Sequence, residues 1–166
     1  YKVAARIQGA DVIEVPLDRE RGYALDEPAI ERASDDERVK LVFFCTPNNP
    51  TGNSVDATVI ERTARRLADR ALLVVDEAYA EFSDAPSFAG RLAELPNVVV
   101  LRTLSKAYAL AGARCGAVIA DAPIVELLRR MIPPYALPQP TIEAVLAALE
   151  EPRLVQARAR IRTLLA

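Results

Sequence analysis

Four short apolar runs set the terms for this chain: residues 39–45 (interrupted only by Lys40), 72–75, 98–101 and 115–120. Each lacks the polar alternation of a half-exposed strand and is too short for a buried helix. A strand covered on both faces has this signature, because every side chain meets a covering layer whichever way it points. Between the first two runs, residues 55–67 carry Val55, Val59, Ile60, Thr63, Ala64 and Leu67 on one side of a helix. Buried strands interleaved with helices predict an α/β fold, with a mostly parallel sheet flanked by helices. In such sheets ligands bind beyond the carboxyl ends of the strands. The residues that follow each run are therefore the first candidates for function.

The rest of the pattern is weaker. Val3, Ala4 and Ile7 fit a helix over residues 1–8 that stops at Gly9. Residues 11–15 read as a short strand, and 28–33 as the start of a helix. Asp121 is placed to cap a helix with Pro123 in its first turn, running to about Met131. Pro133, Pro134, Pro138 and Pro140 predict an extended connector before a short helix over 141–149. Leu154, Ala157, Ile161, Leu164 and Leu165 recur at helical spacing, with arginines 153, 158, 160 and 162 as a solvated face. The chain begins at Tyr1 and its last helical pattern has no stop signal. Both ends read as cut, which predicts a fragment of a larger protein.

Composition narrows the chemistry. With 166 residues, 51% hydrophobic and 27% charged, the chain suits one packed domain rather than a disordered segment. A net charge of −2 does not favour nucleic acid or an anionic membrane as partner. No apolar run approaches a membrane span, and no secretion leader is expected. The chain has no histidine, so a Ser-His-Asp or Cys-His mechanism has no imidazole base. Cys45 and Cys115 lack metal-ligand spacing and are expected to be reduced core thiols, with no metal site.

Asn49, Asp76 and Lys106 each follow a different apolar run. A lysine amine reacts with a carbonyl only in its unprotonated form, which desolvation or nearby positive charge favours. Arg102 and Arg114 are near Lys106 in sequence. A Ser-Lys pair alone is unspecific, and Asp76 adds to it. A carboxylate at the mouth of a buried strand needs a partner, and a protonated pyridine nitrogen is a suitable one. Strand alternation turns the adjacent Glu77 away. Tyr79 and Asn49 can hydrogen-bond a phenolate oxygen on such a ring, though they also suit a core aromatic and a turn residue. Ser105 and Arg114 suit a phosphate. Together these residues predict a site for pyridoxal 5′-phosphate (PLP).

Asn48-Asn49-Pro50-Thr51-Gly52, Val75-Asp76-Glu77-Ala78-Tyr79, and Leu104-Ser105-Lys106 with Arg114 resemble the class I/II aminotransferases of PLP fold type I. The longer strings 45–52, 76–82 and 102–116 resemble the histidinol-phosphate aminotransferase branch. The resemblance implies that Lys106 is the Schiff-base lysine and proton carrier, and that Asp76 pairs with the pyridinium nitrogen. It implies that Asn49 and Tyr79 hold the ring oxygen and that Ser105 and Arg114 bind phosphate. It also implies small amino-acid and keto-acid substrates, a homodimer and a cytoplasmic biosynthetic enzyme. Residues 1–166 would be the central part of the large PLP-binding domain. Residues 151–166 would start the connection toward a C-terminal small domain, and the stretch alone would be inactive. An aromatic or broad-specificity aminotransferase, a threonine-phosphate decarboxylase and a non-catalytic PLP sensor stay open as alternatives.

Overall fold

The apolar runs pair edge to edge. A computed structural model describes residues 1–165. In it β1 (Leu41–Cys45), β2 (Leu72–Asp76), β3 (Val98–Thr103) and β4 (Gly116–Ala120) form one sheet in the order β1-β2-β3-β4. β1, β2 and β3 are parallel, whereas β4 runs antiparallel to β3. The register sets Cys45 opposite Asp76, and Asp76 opposite Leu101. β1 and β2 thus end level while β3 runs two residues further, to Thr103, and the segments after them emerge along the same border of the sheet.

The crossover from β1 to β2 is α3 (Ala57–Leu67), capped by Asp56, whose side chain accepts from the Thr58 N–H. Its buried residues are Val59, Ile60, Thr63, Ala64 and Leu67, the face expected from the sequence, and Val55 packs beside them. This face meets Leu73, Val75, Val98 and Val100 in the core. Val74 and Val99, on the opposite side of the sheet, are buried too, so the middle strands are covered on both faces. α2 (Glu27–Ser34) packs against α3 and is capped by Asp26, whose side chain accepts from the Ala29 N–H. α1 (Lys2–Ile7) ends as expected, with Gly9 at φ +73°.

Several expectations are corrected. Residues 11–15 form no strand: among the described residues they have no ladder partner, and extended chain becomes sheet only when its amides find one. β4 is an exposed antiparallel edge strand, not a buried one. It lies so close to β3 that a Cβ on Gly116 would sit 2.8 Å from the Arg102 carbonyl oxygen. α4 (Ala122–Arg129) ends short of Met131, and the Asp121 side chain makes no capping bond. Pro140 lies in the first turn of α5 (Gln139–Ala148), where its missing N–H is no loss, rather than in the connector. α6 (Glu151–Leu165) buries Ala157 and Ile161, packs against the 80–82 turn, and exposes arginines 153, 158, 160 and 162. Both cysteines are free, and they are half-buried rather than in the core.

Ile60 is fully buried. Ile60→Ala is expected to destabilise the folded protein by about 2–5 kcal/mol. Arg65→Ala, on the exposed face of the same helix, should stay within about 0.5 kcal/mol of the parent. Equilibrium denaturant unfolding of the two variants checks this contrast.

Candidate active site

Asp76 closes β2, and both of its carboxylate oxygens are engaged. Oδ1 accepts from the Ala78 N–H at 3.0 Å, and Oδ2 accepts from the Tyr1 hydroxyl. The Tyr1 ring stacks on Phe43, with centroids 4.6 Å apart and planes 18° from parallel. Partial burial, then the bond to Asp76 and its charge, push the Tyr1 phenol well above the usual tyrosine range. The next residue takes the opposite direction, as strand alternation requires. Glu77 is 3% exposed and accepts from Ser87 Oγ at 2.6 Å, from the Phe88 N–H at 2.8 Å and from Arg102 at 3.1 Å.

Beyond the strand ends, three of the expected residues come together. Asn49 Nδ2 donates to the Tyr79 hydroxyl oxygen at 3.1 Å. Lys106 Nζ lies 5.4 Å from the centroid of the Tyr79 ring. Lys106 is exposed, on a loop closed by bonds from the Leu110 N–H to the Leu104 carbonyl (3.0 Å) and from the Ala109 N–H to the Lys106 carbonyl (3.1 Å). Ser105 is half-buried, and its N–H donates to Thr103 Oγ1 at 3.1 Å.

Two arginines depart from the sequence picture. Arg114 is exposed, has φ +51°, and turns its guanidinium back to the Ala111 carbonyl at 3.1 Å. No contact joins it to Ser105 among the described residues. Arg102 does not offer its charge to Lys106. It donates to Glu77 at 3.1 Å and to Glu81 at 2.5 Å. This ion cluster and Tyr1 were missed at the sequence level. A charged residue within a β-rich apolar run was the available signal for Arg102. Tyr1 carried none, because 75 positions separate it from Asp76.

The ring-binding half of the site fits PLP. An amide and a phenol share one hydrogen bond, an amine lies near the same phenol ring, and a carboxylate occupies a strand end, the donor set a phenolic pyridinium aldehyde requires. The phosphate half is less formed, because Arg114 is turned to its own loop. Among the described residues no group of three side chains could hold a metal ion, and no helix is long and apolar enough to cross a membrane.

The sequence matches the family "Aminotransferase class I and II" over residues 1–165. It is 48% identical over 162 residues to a histidinol-phosphate aminotransferase of Xanthomonas campestris pv. campestris, covering 97% of this chain and 45% of that protein. A histidinol-phosphate aminotransferase of Xylella fastidiosa is 53% identical over 143 residues, which is 86% of this chain and 39% of that one. The chain thus spans less than half the length of these relatives. The crystal structure of histidinol-phosphate aminotransferase from Sinorhizobium meliloti, in complex with pyridoxal-5′-phosphate, superposes with a TM-score of 0.84 at 29% identity. That match covers 98% of this chain and 44% of that one.

The Tyr1–Asp76 bond has a titration signature. A phenol raised in the folded state contributes stability that is fully present below the unfolded tyrosine value of about 10 and declines as pH rises above it. Asp76→Asn is expected to lower the pH at which Tyr1 ionises. Ultraviolet titration of tyrosinate in the parent, Asp76→Asn and Tyr1→Phe proteins checks this. An identical curve in the parent and Asp76→Asn would contradict the bond.

Proposed function

The chain belongs to the class I and II aminotransferases, and on that premise we propose that it is the cofactor-binding core of a PLP-dependent transaminase of histidine biosynthesis. The proposed reaction moves an amino group between glutamate and imidazole acetol phosphate, yielding 2-oxoglutarate and histidinol phosphate. The observation that carries the reading is the meeting of Asn49, Tyr79 and Lys106 on segments that follow three parallel strands, the middle one closed by Asp76. The high identity to histidinol-phosphate aminotransferases supports the substrate. In the same proposal residues 1–166 form the central part of the large domain, and 151–166 start the connection toward a small domain. Ala166 itself lies outside the described residues. The whole enzyme would be a cytoplasmic homodimer, and this stretch alone would be inactive.

When bound, PLP would supply an electron sink for the negative charge that develops at the substrate α-carbon. The chain's own residues supply the rest. Lys106 Nζ would hold the cofactor until the substrate amine displaces it, and the freed amine would then carry a proton from the substrate α-carbon to the cofactor C4′. The Asp76 carboxylate holds the proton on the ring nitrogen, a role for which the Tyr1 hydroxyl must yield Oδ2. Asn49 Nδ2 and the Tyr79 hydroxyl orient the ring through its oxygen. Ser105 and Arg114 bind the phosphate, and Arg114 must first release the Ala111 carbonyl.

Borohydride reduction of the complete protein with PLP, followed by peptide mapping, is expected to place the label on Lys106. A label on Lys2 or Lys40 alone would refute the assignment. Lys106→Ala should abolish turnover and the absorbance of the lysine–cofactor imine while the circular dichroism stays native. Turnover with histidinol phosphate should exceed that with phenylalanine or threonine phosphate. Equal rates on phenylalanine would overturn the substrate assignment.

A further inference from the structure

The buried charges behind the site are arranged around the lysine loop. Segment 76–82 carries Asp76 and Tyr79, which meet Tyr1 and Asn49, and Glu77 and Glu81, which both meet Arg102. The Glu77 side chain is 4% exposed, that of Glu81 15% and that of Arg102 26%. Arg102 bridges the two carboxylates, so two negative charges share one positive partner. Glu77 is also satisfied by Ser87 and the Phe88 N–H, but Glu81 Oε2 is buried with no hydrogen-bond partner. Tyr108 stands next to it: burial, and then the charge of Glu81, raise that phenol above its usual range. Arg102 and Tyr108 lie on either side of Lys106 in the chain.

We infer that Glu81, with Glu77 and Arg102, forms a positioning clasp that holds the Lys106 loop at a fixed distance from Asp76 and Tyr79. Arg102, bonded to both carboxylates, anchors the loop before the lysine. A buried carboxylate without its cation is strongly disfavoured, so the arrangement is held as a unit rather than by degrees. An apolar contact of the same volume would pack as well, but without direction. The Asp76–Glu77 alternation makes the coupling rigid: one strand end carries the ring partner on one face and the clasp partner on the other. None of the three clasp side chains needs to touch cofactor or substrate. Their effect is to fix where Lys106 Nζ can be.

The inference rests on the PLP reading above, and the test separates the two. Full-length parent, Glu81→Gln, Arg102→Lys and Tyr108→Phe proteins are each loaded with PLP. The pH dependence of the cofactor absorbance, kcat and KM are measured, and amide exchange over residues 103–110 is followed in the cofactor-free proteins. Glu81→Gln is expected to shift the absorbance midpoint, lower kcat by about tenfold or more with KM little changed, and speed exchange in the loop. Tyr108→Phe should move the same quantities less, and Arg102→Lys should restore only part of the parent behaviour because a lysine cannot bridge both carboxylates in one plane. A folded Glu81→Gln protein with parent midpoint, kcat and loop exchange overturns the clasp. If Glu81→Gln does not fold, Arg102→Lys decides, and parent values there overturn it. A borohydride label on Lys106 in parent and variants alike, with unmoved profiles, defeats the clasp alone. A parent label elsewhere than Lys106 defeats the PLP reading and the clasp together.

Discussion

The in-register parallel pairing of β1, β2 and β3 is the constraint on which everything else depends. Each strand has its own turn and its own chemistry after it. Only because Cys45, Asp76 and Leu101 stand abreast do the Asn49 turn, the Asp76 carboxylate and the Lys106 loop open onto one space. A slip of one residue in β2 would exchange Asp76 and Glu77 between the two faces of the sheet. That slip would only exchange Leu73 and Val75 for Leu72 and Val74 against α3, whereas Glu77 would lose the three donors aimed at it. The buried partners of Glu77 thus set which of two adjacent acids faces the site.

Those two acids show how little separates a structural from a chemical role. Asp76 and Glu77 are neighbouring carboxyl side chains one methylene apart in length. One is half-buried and meets a phenol at the strand mouth. The other is almost wholly enclosed and is satisfied by a hydroxyl, a main-chain amide and a guanidinium. Desolvation is tolerated at Glu77 because three donors are aimed at it. Asp76, with fewer fixed partners and more solvent, keeps an oxygen that can change partner.

The features legible in the sequence were those carried by local pattern. The three parallel strands, the α3 face from Val59 to Leu67 and the split between Asp76 and Glu77 follow from period and burial alone. Asn49, Tyr79 and Lys106 could be grouped because the strand-end rule places ligands in α/β sheets. What could not be read depended on partners distant in sequence. Residues 11–15 have strand composition but no ladder. β4 has the composition of a buried strand but lies at an edge. Arg114 and Arg102 were both placed near Lys106 by sequence distance, yet each turns elsewhere, one to a carbonyl of its own loop and one to two carboxylates. Tyr1 was invisible, since its only link to the site is tertiary.

The close approach of Gly116 to Arg102 bears on the lysine loop in another way. Thr103 and Gly116 are paired across β3 and β4, and the Leu104 N–H adds a further bond to the Cys115 carbonyl at 3.3 Å. Residues 104–115 therefore leave and re-enter the sheet at one rung, like a purse drawn shut at its neck. The entropy of bringing the two ends together is met by the sheet and not by any ligand. Sequence inside the purse is free to vary with little effect on closure. The neck is not, because a single methyl group at position 116 would force the rung apart.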